Sequence, residues 1–558
     1  MEEIKEKLRA VISELFGIDF SPNVTVSPKE FKADYSTNVA MAISKQVGKN
    51  PREVAEKIVR ALDDSGYEIE IAGPGFLNFK SSDEYFKVKI ADFGSNFTKN
   101  ISQDEYLGKT VICEFSDPNP FKVLHVGHLY TSIVGDSISR LVEFAGGKVI
   151  RANFGGDVGL HVAKTLYAVI RDGKDTSDIE TIGKCYVEGT RAYEEDEKAH
   201  EEITRLNQLI FSISASGPEM VYEDGEKAKI AELYWRGREV SYNYFKAFYK
   251  KIGLEFDKYY PESTVADRGL SEVKSHIGDV YEESDGAIVY KGEKDGLHTR
   301  VFINKNGLPT YETKDVGLLF TKYDDYKFDK SVVITGNEQL EYMKVVLASI
   351  SKYAPELVEK TTHLTHGMVR LPGNAKMSSR LGNFLKAVDV LGVVDEALES
   401  EHGSKDEKVS LGATKYAFLK YKIGGNIIFD PKESVSMTGN SGPYLQYSAV
   451  RASKIIGNLL KDGVSNASEE WELTEREREL IKKIIAYPEE VRVTVKELSP
   501  NKLCNYLYEL AQEFSRFYET TKVAGSEFEF ERGQIVLAYL KVLTHGLGLL
   551  GIEVPERM

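Results

Sequence analysis

Cysteine is nearly missing from this chain of 558 residues: Cys113, Cys185 and Cys504 are far apart and odd in number. They can build neither a disulfide framework nor a Cys-rich zinc site. Long apolar runs are also missing. The nearest approach, 535–552, is interrupted by Lys541 and His545 and is too broken for a membrane span. The opening MEEIKEKLRAVISELFG carries acids where a secretion signal is basic, with Ile4, Leu8, Val11, Ile12 and Leu15 at helical spacing. These absences lead us to expect a cytoplasmic protein with no structural zinc and no membrane partner. Positive charge is in deficit too, with 72 Lys and Arg against 87 Asp and Glu for a net charge of −15. That sum weighs against a nucleic-acid partner, whose phosphates need positive potential, but leaves room for a basic groove on one face. Internal repeats and low-complexity tracts are absent.

What is present suits a globular protein of about two to four domains: 42% of residues are hydrophobic and 28% charged. The first 92 residues read as a small α/β domain. Asn50-Pro51-Arg52-Glu53 is a helix start, with Asn as cap and Pro in the first position. YEIEI alternates like a strand, and Gly73-Pro74-Gly75 turns the chain into FLNF. The polar stretch 92–109 has a linker's composition. From 108 to 400 the pattern is that of a nucleotide-binding α/β domain. A short apolar strand (111–115), a loop, a helix (129–145) and a second strand candidate, KVIRANFGG, follow one another. Residues 172–259 read as a mostly helical insertion, and SVVITG (331–336) as a buried strand. The segment 404–558 reads as an all-α bundle, with Thr474-x-x-Glu477 and Ser499-Pro500 as helix starts. One of its helices carries Leu503, Tyr506, Leu507, Leu510, Phe514 and Phe517 as a single apolar stripe, so a monomer is expected.

Two short motifs carry chemistry. His125-Val126-Gly127-His128 falls where the loop after the first strand becomes a helix. A helix N-terminus favours phosphate, glycine lets a nucleotide approach the backbone, and two imidazoles can donate to phosphate oxygens. Read blandly, the same residues cap a helix; a zinc pair has no further ligands close in sequence. Some 250 residues on, Lys376-Met377-Ser378-Ser379-Arg380 lies between Gly373 and Gly382-Asn383. A Gly-flanked loop with Lys, Arg and two hydroxyls suits a pyrophosphate clamp.

Together the two motifs resemble the HIGH and KMSKS signatures of class I aminoacyl-tRNA synthetases. EFSDPNPFKVLHVGH (114–128) resembles the EFSSPN-x-x-K-x-x-HxGH run of the arginyl-tRNA synthetase family nearly position for position. GLPTYETKDVG (307–317), Gln339 and HGMV (366–369) resemble further segments of it. DYSTNVAMAISKQVGKNPREVAEKI and AGPGFLNF resemble its N-terminal tRNA-contacting domain, and GNSGPYLQYSAVRASKII and LLGIEVPERM its anticodon-binding bundle. The resemblance covers nearly the whole chain and is weakest in the insertion.

It implies an arginine–tRNA ligase with a Rossmann-type parallel-sheet catalytic domain. The substrates are ATP with Mg²⁺, L-arginine and tRNA(Arg), with no obligate protein partner. Arginine is read by Glu114 and Asp315 at the guanidinium, Tyr311 at the cation or its stem, and Asn119 and Gln339 at the head group. His125, Gly127, His128, Met368, Val369, Lys376, Met377 and Ser378 hold ATP. His125, His128, Lys122 and Lys376 stabilise charge during reaction. Phe76, Asn78, Tyr444, Gln446 and Arg451 are tRNA-contacting candidates, with core packing or a turn as the plain alternative for each. Ser379 stands where the second lysine of KMSKS is usual, and Lys122 is the implied substitute. Asp117 stands where serine is usual; Tyr130 and Leu381 each remove a positive charge expected near nucleotide or tRNA. A cysteinyl enzyme needs zinc ligands this sequence lacks, and a lysyl pocket does not explain the Tyr311/Asp315 spacing. A nucleotidyltransferase acting on a small metabolite leaves both terminal domains unexplained, and a non-catalytic paralogue leaves the two histidines and Lys376 unexplained.

Overall fold

The computed structural model describes residues 2–27, 33–62, 66–370, 372, 385–403, 405–462, 468 and 470–558. The segment with Lys376, Met377, Ser378, Ser379 and Leu381 lies outside them. The chain divides into two compact units, one of residues 1–101, 451–490 and 509–543 and one of 102–450, 491–508 and 544–558.

In the first unit, α1 (Glu2–Phe16), β1 (Val24–Val26), β2 (Tyr35–Thr37), α2 (Val39–Val47), α3 (Pro51–Ala61), β3 (Tyr67–Ala72) and β4 (Phe76–Ser81) make a small α/β body. Its sheet is antiparallel in the order β1-β2-β4-β3. Asn50 starts α3 by accepting from the Arg52 N–H at 2.9 Å, and Pro51 occupies the first turn, where no N–H is needed. The apolar stripe of α1 (Ile4, Leu8, Ile12) closes a core with Ile43, Val54, Ile58, Leu77 and Phe79. The stretch expected to be a linker is helical in its first half, where α4 (Asp83–Ser95), capped by Ser82, ends and α5 (Phe97–Asn100) follows, and it is turn and coil from 101 to 109. Phe86, Ile90 and Phe93 are buried on α4, one apolar residue every three or four positions.

The second unit is built on five parallel strands. In chain order it contains β5 (Thr110–Glu114), α6 (Val126–Phe144), β6 (Lys148–Gly155), α7 (Leu160–Arg171), α8 (Ile179–Glu195), α9 (Glu197–Ser216), α10 (Gly225–Lys251), β7 (Lys258–Pro261) and α11 (Glu262–Ser275). Then come β8 (Glu282–Ser284), β9 (Ala287–Tyr290), β10 (Arg300–Ile303), α12 (Tyr311–Tyr326), β11 (Lys330–Gly336), α13 (Leu340–Ser351), α14 (Pro355–Glu359) and β12 (Thr361–His366). After β13 (Val369–Arg370) follow α15 (Ala387–His402), α16 (Glu407–Leu419), β14 (Ile427–Ile428) and α17 (Pro431–Ser434). The main sheet has the order β12-β11-β5-β6-β7. From β5 the chain progresses one way to β6 and β7, and β11 and β12 lie on the other side. In such a sheet ligands bind outside the carboxyl ends of the strands where the order reverses, here the ends of β5 and β11.

The insertion ends earlier than its composition suggests, because Lys258 and Tyr259 belong to β7 and pair with Ala152 and Asn153 of the sheet. Four strand residues ending in proline are too few to show a period. The helices α18 (Gly442–Asp462), α19 (Glu475–Glu497), α20 (Pro500–Thr520) and α21 (Glu529–Leu549) complete the chain. The capping box at α19 forms: the Glu477 carboxylate accepts from the Thr474 N–H at 2.7 Å, and Thr474 Oγ1 accepts from the Glu477 N–H at 3.3 Å. All six residues of the α20 stripe are buried. Among the described residues no helix is long and apolar enough to cross a membrane.

Candidate active site

A cleft of about 610 Å³ opens at the ends of β5 and β11. It is lined by eight of the sequence-derived residues: Glu114, Asn119, His125, Gly127, His128, Tyr311, Asp315 and Gln339.

The loop from β5 to α6 is shaped by hydrogen bonds that hold three non-glycine residues in the left-handed region: Ser116 (φ 74°), Asp117 (φ 45°) and Phe121 (φ 67°). Ser116 Oγ bonds Tyr249 Oη at 2.8 Å and accepts from Ser132 Oγ at 2.9 Å. The Phe121 N–H donates to Ser241 Oγ at 2.9 Å. Asp117 accepts from the Phe154 N–H at 2.7 Å, so the residue that departs from the family pattern ties the loop to β6. Burial, with Glu114 nearby, holds its carboxyl well above the usual range. Asn119 Oδ1 accepts from the Gly156 N–H at 3.0 Å, which leaves its amide nitrogen as the group to donate to a ligand.

His125 caps α6 with a capping box: its Nδ1 accepts from the Gly127 N–H at 3.1 Å, and His128 Nδ1 accepts from the His125 N–H at 3.2 Å. The rings stack with centroids 3.8 Å apart. Burial, aided by Lys122, pushes His125 down to about 4 and His128 well below its ordinary value. Both are neutral at neutral pH, and an Nδ1 that accepts puts the proton on Nε2. They are hydrogen-bond donors, then, and carry no cationic charge. Thr131, one turn on, bonds both the Gly127 carbonyl (2.8 Å) and His366 Nε2 (2.6 Å). Leu385 and Ala387 meet this turn. Val126 N–H donates to Leu385 O and Ala387 N–H to Leu124 O, each at 2.9 Å.

Lys122 lies beside the main cleft, in a side chamber of about 80 Å³ shared with Asn119, His125, His128 and Tyr186. Its ammonium is 4.5 Å from the Tyr186 ring centroid. Val369 pairs with Ile427 in a two-strand ladder, and Met368, half exposed, spends its N–H on Asn426 Oδ1 at 2.9 Å.

The far wall carries three carboxyl groups, two of them paired with buried lysines. Glu114 pairs with Lys322, Glu262 with Lys314, and Tyr342 donates its hydroxyl to Asp315. Burial pushes Asp315 up to about 8; Glu114 and Glu262 add to the rise, and Tyr342 and Lys322 oppose it. Tyr311, at the start of α12, is half exposed, and Gln339 is exposed. Glu262, Tyr342, Lys314 and Lys322 were not singled out in the sequence. The signal available was polar residues within buried stretches: Lys314 and Lys322 are buried on the same helix as Val316, Leu318 and Leu319.

Three expectations are corrected. Tyr130 is fully buried between His366 (ring centroids 4.5 Å) and Phe418 (5.5 Å), so it fills core volume at no nucleotide or tRNA surface. Asn78 is buried in the sheet and accepts from Ser36 Oγ at 2.7 Å, because its register partner on β2 is Ser36. Gln446 is buried and donates to the carbonyls of Lys408 (2.9 Å) and Glu553 (2.6 Å), so it fastens the chain's last residues inside the second unit. Phe76 is partly exposed, Tyr444 packs edge-on to Tyr508, and the Arg451 guanidinium is 3.7 Å from the Tyr518 ring centroid.

Asp157, just after β6, is fully buried and holds the cleft's frame. It accepts from Arg238 Nε of α10 (2.8 Å) and from the N–H (2.9 Å) and Oγ (2.7 Å) of Ser263 at the start of α11. Removing one side of a buried, hydrogen-bonded ion pair costs about 3–5 kcal/mol. Asp157→Ala is expected to destabilise by that amount, read as a lowered urea midpoint; a shift of under about 1 kcal/mol contradicts the role.

Family models match three stretches: tRNA synthetases class I (R), catalytic domain, at 96–429; DALR anticodon binding domain at 445–558; and arginyl tRNA synthetase N terminal domain at 2–81. An arginine–tRNA ligase of Parabacteroides distasonis is 29% identical over 601 aligned residues, covering 100% of this chain and 99% of the relative. One of Borrelia hermsii is 30% identical, covering 95% and 94%. The fold is that of the Thermus thermophilus arginyl-tRNA synthetase (TM-score 0.79, 23% identity, 100% of both chains). It is also that of the Plasmodium falciparum enzyme (TM-score 0.75, 22% identity, 100% of this chain and 99% of the other). Matched along its length, the parallel-sheet chain with His125 and His128 at its first crossover helix belongs to the arginyl-tRNA synthetases of class I.

Proposed function

We propose that the cleft at the ends of β5 and β11 activates L-arginine with ATP and then transfers the arginyl group to the 3′ end of tRNA(Arg). The observation that carries this reading is the opposite character of its two walls. The α12 side presents Glu114, Asp315 and Glu262; the α6 side presents a helix N-terminus and two neutral imidazole donors. A planar cation suits the first wall and a polyphosphate the second.

Glu114 and Asp315 read the guanidinium, with Tyr311 offering a ring face to its stem. Asn119 and Gln339 hold the amino and carboxylate groups. His125, Gly127 and His128 receive the phosphates, and Met368 and Val369 the adenine side. Lys122 and Lys376, with Met377 and Ser378, complete the ATP contacts, and Mg²⁺ arrives with the nucleotide. An arginine carboxylate oxygen attacks the α-phosphorus, and the bond to the bridging oxygen breaks to release pyrophosphate. The terminal ribose hydroxyl of tRNA then attacks the arginyl carbonyl and AMP leaves with the phosphate oxygen. No side-chain nucleophile is required; positioning and charge stabilisation suffice. Residues 1–92 contact tRNA through exposed Phe76, and 404–558, with Tyr444 and Arg451, lie toward the anticodon.

The test is aminoacylation of total tRNA with each amino acid in turn. Arginine alone is expected to be charged; charging with another amino acid overturns the reading. Arginine activation is expected to require tRNA.

The pH dependence carries a sign. Asp315 is raised to about 8, so below that pH binding a guanidinium must displace a proton from it. The arginine KM is expected to fall as pH rises from about 6.5 to 8, by up to about tenfold per unit, then to level off. The ATP KM stays flat over the same range, because His125 and His128 remain neutral throughout. An arginine KM that is flat, or that moves together with the ATP KM, contradicts the assignment of Asp315.

A further inference from the structure

Each carboxylate assigned to the guanidinium has one oxygen already engaged by a buried side chain. Lys322 holds Glu114 by Oε2, with side-chain exposures of 2% and 4%, and its ammonium is also 3.2 Å from Ser331 Oγ. Tyr342 holds Asp315 by Oδ2. A buried lysine pays a desolvation penalty that an apolar side chain on the same helix face avoids, so fold stability alone does not account for Lys322. Leu318 and Leu319, one turn before Lys322 on α12, are buried apolar residues.

We propose that Lys322 and Tyr342 are positioning residues for substrate selection. Each holds one oxygen of a guanidinium-reading carboxylate, so that Glu114 and Asp315 offer two single, fixed acceptors on separate elements, β5 and α12. A guanidinium directs N–H groups outward in a plane and can bridge two such acceptors. An ammonium is a compact, strongly hydrated point charge with no planar fork, and gains less from them. Arginine is thereby favoured over lysine by the orientation of the acids as well as by their charge. This inference rests on the assignment of Glu114 and Asp315 made above.

The experiment measures kcat and KM for arginine and ATP, and the inhibition constant of lysine against arginine, in tRNA charging by the full chain, for Lys322→Met, Lys322→Arg, Tyr342→Phe and Glu114→Gln. Lys322→Met is expected to raise the arginine KM by about thirtyfold or more, with the ATP KM within about twofold of wild type. Lys322→Arg is expected to restore most of the loss. Tyr342→Phe, which keeps the ring, should raise the arginine KM about tenfold. In Lys322→Met and Tyr342→Phe the preference for arginine over lysine narrows. If Lys322→Met does not fold, Tyr342→Phe and Lys322→Arg still decide the matter. Arginine and ATP KM rising together, or an arginine KM within about threefold of wild type in Tyr342→Phe, overturns the positioning role. Glu114→Gln separates the two levels. An unchanged arginine KM there removes the assignment of Glu114 itself; a raised one, with Lys322→Met and Tyr342→Phe unchanged, removes only the positioning role.

Discussion

Lys122→Ala is expected to slow arginyl-adenylate formation about a hundredfold to a thousandfold while leaving tRNA affinity near wild type. The size follows from how little cationic charge faces the phosphates. His125 and His128 sit at an α-helix start and are held neutral by burial, so they donate hydrogen bonds without a full positive charge. Ser379 stands at the place of the second lysine of the KMSKS motif. Lys122 and Lys376 remain as the proposed cations for the developing charge. Lys122 is steadied by the Tyr186 ring at 4.5 Å, a partner that attracts an ammonium through its π face without cancelling its charge. Single-turnover measurement of pyrophosphate release with tRNA present, beside a filter-binding measurement of tRNA, reads both halves of the prediction. A rate loss below about tenfold contradicts it, as does parallel loss of tRNA binding.

Asp315→Asn is expected to lower kcat/KM for arginine by about a thousandfold, with the ATP KM little changed. The substitution keeps side-chain volume and an oxygen that can accept from Tyr342. It removes the negative charge that Asp315 takes on when the guanidinium displaces its proton, and puts an amide N–H where the guanidinium needs an acceptor. A buried donor left facing a donor loses the hydrogen bond and its desolvation compensation together, which is why the effect exceeds that of a lost surface pair. Steady-state charging with varied arginine at saturating ATP and tRNA gives the number. If the loss appears in the ATP KM instead, Asp315 supports the nucleotide wall and the assignment fails.

How much of this was legible before the fold depends on the range of the interaction. Local signals read correctly: the Asn50-Pro51 start of α3, the Thr474/Glu477 capping box, and the strand–loop–helix passage that brings His125 and His128 to the first turn of α6. Tyr311 and Asp315 are four apart on one helix and could be read as neighbours. Pairings that close over long distances could not be read. Glu114 and Lys322 are separated by 208 positions, and only the adjacency of β5 and β11 brings α12 over the end of β5. Glu262 and Lys314, 52 positions apart, meet only because α11 packs against α12. The misjudged residues, Asn78, Gln446 and Tyr130, are polar or amphipathic side chains in segments that resemble known binding regions. A sequence lists such groups without saying whether a register partner or a carbonyl will absorb them, and here Ser36, Lys408 and Glu553 do so.

The loop between β5 and α6 has a consequence for binding thermodynamics. Ser116, Asp117 and Phe121 hold a backbone conformation that costs non-glycine residues about 1–3 kcal/mol each, and Tyr249, Ser132, Phe154 and Ser241 hold them there. That cost is met when the chain folds, so Asn119 and His125 have little conformational entropy left to lose when substrate arrives. Arginine and ATP should therefore bind this wall with a small entropic penalty. Loosening the loop at Ser241 or Asp117 should surface in calorimetry as a less favourable entropy of binding before it surfaces as a lost contact.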